Sequence, residues 1–173
     1  MYSRNIHEEP PVRKVAIIMG SDSDLHIAEK AVAVLKDFEV PYEVHVMSAH
    51  RTPDEVHAFA SSARAEGISA IISIAGKAAH LGGVIASYTT LPVITIPGSG
   101  GALKGVEALL SSVEMPPGIP VASVGIDAGQ NAALLALSIL SVSDEGIAEK
   151  LGAYRESMRN KILIKDREIS GRL

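Results

Sequence analysis

The sequence predicts a single α/β domain, a parallel β-sheet covered by helices on both faces. Three observations carry that prediction. Five short runs rich in Val and Ile alternate with longer amphipathic or Ala-rich segments. The spacing between neighbouring runs leaves room for the crossover helix that a parallel connection requires. The core must also be aliphatic, since 47% of the 173 residues are hydrophobic but only two are Phe, four Tyr and none Trp. β-branched strands packed on Ala-rich helices satisfy that composition.

The strands are expected at Val15 to Met19, Tyr42 to Met47, Ala70 to Ile74, Val93 to Ile96 and Val121 to Ile126. A first helix is expected from about Asp24 to Phe38, with Ile27, Ala31, Val34 and Leu35 on one stripe. A second opens at Thr52-Pro53, with Thr as N-cap, Pro at the first helical position and Glu55 behind it, and ends at Gly67. A third lies between Leu81 and Tyr88, with Gly82-Gly83 inside its first turn. A fourth spans Leu103 to Val113, and a fifth, Asn131 to Leu140, is almost wholly apolar, which calls for burial on more than one side. From Ser143 onward Ile147, Leu151, Tyr154, Met158 and Ile162 recur at helical spacing between charged residues. The domain reading is a polar leader over residues 1–13, a catalytic core over 14–142 and a helical extension of it over 143–173.

Bulk properties exclude several function classes. The net charge of -4 provides no basic footprint for nucleic acid. With no Cys there is neither a disulfide nor a thiolate metal site. No apolar run reaches the ~20 residues of a membrane helix, and Met1 to Arg13 lacks the apolar stretch of a secretory signal. A cytoplasmic enzyme acting on a small molecule fits these limits.

In open α/β sheets ligands bind at the carboxyl ends of the strands. The loop after the first strand reads Gly20-Ser21-Asp22-Ser23-Asp24: a sharp turn, two hydroxyls and a following helix N-terminus, which together suit an anion. Neither a dinucleotide fingerprint nor a Walker sequence occurs. Carboxylates repel phosphate, so Asp24 either faces sugar hydroxyls or caps the helix. After the second strand, Ser48-Ala49-His50-Arg51-Thr52-Pro53 offers an imidazole suited to proton transfer and a guanidinium suited to phosphate or carboxylate. After the third, Ala75-Gly76-Lys77-Ala78-Ala79-His80-Leu81 brings small residues that allow close backbone approach, and a second His. The Pro97 to Gly101 loop is expected to be flexible and carries no obvious base. His7, His26, His45 and His57 read as structural. A metal held by His50, His80 and Asp24 lacks the ligand spacing of a helix or hairpin site, so no metal is assigned.

These loops, with Met115-Pro116-Pro117-Gly118-Ile119-Pro120 and Asn131-Ala132-Ala133-Leu134-Leu135-Ala136, resemble the N5-carboxyaminoimidazole ribonucleotide mutases of the aminoimidazole ribonucleotide (AIR) carboxylase family, from about Val15 to Leu140. The resemblance implies a flavodoxin-like three-layer α/β/α fold with a five-stranded parallel sheet, a homo-octamer, and no metal or organic cofactor. It implies an isomerase of purine biosynthesis in which His50 is the acid/base residue. His80 is a second catalytic candidate, contacting the substrate carboxyl or closing the pocket. By position, Ser21, Asp24 and Arg51 would hold the ribonucleotide, and Ser23, Ser48, Ala49, Gly76, Lys77, Ala78, Ala79 and Leu81 would line its pocket. CO2 would be the intermediate. Two positions depart from the mutase pattern, which commonly has Gly where Lys77 stands and Pro where Gly82 stands. The basic residue is more like the branch that carboxylates AIR directly with CO2. A carboxylase is therefore the alternative, and a non-catalytic nucleotide-binding module the more distant one.

Overall fold

The computed structural model describes residues 13–172, so the expected leader lies almost wholly outside the described residues. Five parallel strands form one sheet in the order β2-β1-β3-β4-β5: β1 Lys14–Met19, β2 Tyr42–Val46, β3 Ile68–Gly76, β4 Val93–Gly98 and β5 Ala122–Ser123. Between them run helices α1 Leu25–Asp37, α2 Pro53–Ser62, α3 Leu81–Tyr88 and α4 Val106–Val113, followed by α5 Gly129–Leu140 and α6 Glu145–Ser170. This is the flavodoxin-like α/β arrangement, with the strand order reversing between β1 and β3.

Alternation along the strands splits the core into two layers. Ala16 and Ile18 of β1 and Ile71 of β3 pack with Val56 and Ala60 of α2 and Leu81 and Ile85 of α3. Val15 and Ile17 point to the opposite face and are fully buried there. Ile27, Ala31 and Leu35 form the buried stripe of α1, which packs on β1 and β2. Each fully buried Ile or Leu side chain contributes about 1.5–3 kcal/mol through loss of water contact.

Several boundaries differ from the sequence reading for local reasons. α4 starts three residues late, because Lys104 and Gly105 adopt left-handed φ values of 53° and 93° that no helix accommodates. The expected fifth strand shrinks to two residues. Its chain still follows β4 through single bonds, Val124 N–H to Thr95 O and Asp127 N–H to Pro97 O. α2 stops at Ser62, and hydrogen-bonded turns carry the chain to Gly67. Thr52 precedes α2 but does not cap it. Its hydroxyl accepts from Ser48 N–H (2.9 Å) and donates to Ser48 O (3.2 Å), closing the 48–52 loop.

The described residues divide into two compact units, one up to Ala136 and one from Leu137 onward. In the second, Asp144 caps α6 by accepting the Ile147 N–H at 3.1 Å. Ile147 and Leu151 are buried, whereas Met158 and Ile162, on the same predicted stripe, are exposed. Along α5 the buried positions are Gly129, Ala132, Ala133, Ala136, Leu137 and Leu140, one stripe at helical spacing. Among the described residues no helix is long and apolar enough to cross a membrane.

Candidate active site

The order β2-β1-β3 sets three strand ends side by side, so the loops that leave them meet around one cleft. That cleft has a volume of about 630 Å³. Its walls are Gly20, Ser21, Ser23 and Asp24 from the first loop, Ser48 to Arg51 from the second, and Ala75 to Ala78, His80 and Leu81 from the third. Gly100 of the β4–α4 loop completes the rim.

The first loop is a one-turn 3-10 helix, Asp22–Asp24. Ser21 caps it by accepting the Ser23 N–H, and donates its own proton to Asp22 Oδ1 at 3.1 Å. Asp24 occupies the position before α1 without capping it. Asp24 lines the cleft, and partial burial, with a smaller contribution from Asp127, raises its pKa above the ordinary 3.8. A carboxylate held in that way prefers a hydroxyl or amine donor to a phosphate.

The second loop is tied to the first by Arg51, whose guanidinium donates to Gly20 O at 3.1 Å and to Ser48 Oγ at 3.4 Å. Ser48 Oγ also accepts the Arg51 N–H. These bonds orient the guanidinium across the cleft and leave donors of its fork for an anion. On the adjoining wall His50 and His80 meet: His50 Nε2 and His80 Nδ1 are 3.0 Å apart, with the rings edge to face. His80 stands at the residue before α3 without capping that helix, so its ring is available to His50.

The third loop turns through Lys77 in the left-handed region, φ 56°, a conformation that glycine adopts without cost and lysine does not. Lys77 and Ala78 are exposed at the cleft wall. Ala79, expected in the same lining, is buried and gives its N–H to Ser111 Oγ at 3.0 Å. It faces a neighbouring cavity instead. Among the described residues no group of three His, Cys, Asp or Glu side chains is placed to hold a metal ion.

Sequence reasoning passed over Gly100 and the clamp on its loop. Two carboxylates bond the backbone of that segment: Asp127 Oδ1 accepts Ser99 N–H at 2.9 Å, and Glu107 Oε1 accepts Leu103 N–H at 3.1 Å. The Glu107 spacing, four residues after Leu103, was the legible signal; Asp127 lies 28 residues away from Ser99 and left none. His26, His45 and His57 do not line the cleft; they lie against Ser23 O, Glu43 and Tyr88 respectively. His7 falls outside the described residues.

With this geometry in view, the comparison with known proteins is decisive: the model of the AIR carboxylase family matches residues 14–161. The chain belongs to that family. An N5-carboxyaminoimidazole ribonucleotide mutase of Methanocaldococcus jannaschii is 57% identical over 155 residues, covering 90% of this chain and 96% of that protein. A protein of the same name from Pyrococcus abyssi is 58% identical over 146 residues, 84% of each chain. A phosphoribosylaminoimidazole carboxylase of Saccharomyces cerevisiae is 48% identical over 155 residues, which span only 27% of that longer protein. Among solved structures, Treponema denticola PurE superposes with a TM-score of 0.83 at 34% identity, covering 90% of this chain and 98% of that one. The three cleft loops lie within the matched region, so this family member carries its candidate site on the shared scaffold.

Proposed function

We propose that this protein converts N5-carboxyaminoimidazole ribonucleotide into 4-carboxy-5-aminoimidazole ribonucleotide, an isomerisation of purine (IMP) biosynthesis. The observation that carries the proposal is the His50–His80 pair at 3.0 Å on the wall of a cleft that also presents Arg51, Ser21 and Asp24. The names of the most similar relatives support it.

The chemistry asks for two proton transfers in opposite senses. The exocyclic nitrogen takes a proton as its carboxyl leaves as CO2, and the ring carbon surrenders one after CO2 is added there. A single imidazole that donates and then accepts serves both steps, since one ring nitrogen can give a proton and later take one back. His50 is that group on this reading, and His80 is its partner. Arg51 and the Ser21 hydroxyl hold the phosphate, and Asp24 takes a ribose hydroxyl. Ser23, Ser48 and Ala49, with Gly76, Lys77, Ala78 and Leu81 of the third loop, enclose the base and keep CO2 from escaping. The reading needs no metal or organic cofactor.

The enzyme works in the cytoplasm as a homo-octamer on this reading. Self-association is supported by apolar side chains left exposed in the single chain: Leu103, Val106, Leu110 and Val113 around α4, and Met158, Ile162, Ile164 and Ile169 on α6. Light scattering that returned a monomer at micromolar concentration would contradict it.

Direct carboxylation of AIR by CO2 is the second reading, favoured by Lys77, a cation at the cleft wall where mutases commonly have Gly. One assay separates the two. Purified protein receives either the N-carboxylated ribonucleotide or AIR with bicarbonate; efficient turnover of the first supports the mutase, and turnover of AIR with bicarbonate alone replaces it with the carboxylase.

A further inference from the structure

The His80 imidazole borders two spaces. One is the cleft; the other is a separate cavity of about 480 Å³ lined by Ala79, Gly83, Val84, Ser87, Ser111, Glu114 and Met115. Its Nδ1 is engaged with His50, whereas its Nε2 has no hydrogen bond among the described residues. The imidazole thus stands between the proposed proton carrier and a pocket with hydroxyls and a carboxylate on its walls. With the ribonucleotide of the functional reading in the cleft, the second cavity would remain as a route from His80 to water.

Proton balance gives that route a use. In the complete isomerisation His50 gives one proton and takes one back, so nothing needs to leave. The half-reaction that adds CO2 to AIR is different. The carbon–carbon bond forms, the ring C–H bond breaks, and the product carboxylate is made together with one proton that has to be discharged.

We propose that His80 is a proton relay that empties His50 into the second cavity during that half-reaction, with Glu114 and the cavity water as the outlet. The inference rests on the functional reading above and extends it. The ring-carbon proton passes to His50. The His50 Nε2 proton then moves to His80 Nδ1 across the 3.0 Å contact. A proton leaves His80 Nε2 for water in the cavity. Both imidazoles end neutral and the hydrogen bond between them is reversed; exchange with water restores it. His80 acts through His50, so it is a positioning and relay group. Its signature is a loss confined to reactions with net proton release.

The test compares isomerisation of the N-carboxylated substrate with carboxylation of AIR by saturating bicarbonate, for wild type and two variants. His80→Asn is expected to lower carboxylation about tenfold more than isomerisation, within the usual range for an acid–base group. Added free imidazole is expected to restore carboxylation. Ser87 lines this cavity and not the cleft, so in Ser87→Phe, which narrows the cavity from α3, isomerisation should be unchanged while carboxylation falls. Equal loss of both activities in His80→Asn, or unaltered carboxylation in Ser87→Phe with the variant folded by circular dichroism, overturns the relay. Wild-type protein that turns over neither substrate overturns the functional reading itself, an outcome distinguishable from failure of the relay alone.

Discussion

His50 Nε2 lies 3.0 Å from His80 Nδ1, although the two residues are 30 positions apart and on loops that follow different strands. One ring must donate and the other accept. The tautomers of the two rings set which of them donates, so the contact can pass a proton in either sense.

His50→Asn retains a polar side chain of similar reach but cannot carry a proton near neutrality. Turnover is expected to fall at least ~100-fold while ligand binding is kept, in line with the usual acid–base contribution. Stopped-assay kinetics with calorimetric binding measures both. Wild-type-like turnover would remove His50 from the role.

Arg51 ties Gly20 O to Ser48 Oγ and presents its remaining donors to the cleft. Arg51→Ala removes a charge-assisted contact of about 1.5–3 kcal/mol, so ribonucleotide affinity is expected to drop roughly 10- to 100-fold. A phosphate-free nucleoside should bind both forms alike. Equal affinity of both forms for the nucleotide would argue against a phosphate contact.

Asp24 has its pKa raised by burial, with Asp127 adding to the effect. A carboxyl whose folded pKa exceeds its unfolded value of 3.8 favours the folded state when protonated. The protein consequently loses stability as pH rises from 3.8 through the folded pKa, and the penalty is complete above that pKa. Asp24→Asn removes the charge. It is expected to unfold at higher temperature than wild type near neutral pH, with the difference vanishing in acid, and to bind ribonucleotide more weakly. A lower melting temperature for the variant near neutrality would contradict the assignment.

Gly82 explains one departure from the family pattern. A Cβ built on it would stand 2.2 Å from Thr95 Cγ2, so the α3 backbone lies directly on that methyl. Gly82→Ala overpacks the layer and is expected to cost about 1–3 kcal/mol in urea denaturation. Adding Thr95→Ala removes the clashing methyl and should recover most of the loss, a coupling that a double-mutant cycle reads directly. Additive losses would show that the two side chains do not share the space.

Much of the fold was legible because a strand period of two and a helix period of 3.6 are local properties. α3 matches its expected bounds and β1 adds only Lys14, while β3 runs two residues past the expected strand at each end. The misses share one cause, side chains and backbones that answer to distant partners. Thr52 carries the residue type and spacing of a helix cap, yet its hydroxyl is taken by Ser48 on both sides. α4 was drawn from Leu103 because hydrophobic spacing continues there, and only the left-handed turn at Lys104 and Gly105 interrupts it. Ala79 matched the family motif, but its N–H is committed to Ser111, 32 residues on.

The amino-acid order alone determined which chemistry this protein has at its disposal: an imidazole, a guanidinium and hydroxyl-bearing turns, each placed just past a buried strand. Those assignments depend on residue type and on periodicity within a dozen positions. Tertiary structure decided which of these groups meet. Strand order put β2, β1 and β3 side by side, brought His80 to His50 and moved Ala79 off the cleft. It also fastened Ser99 to Asp127. Such contacts join residues far apart in sequence, and local periodicity carries no record of them.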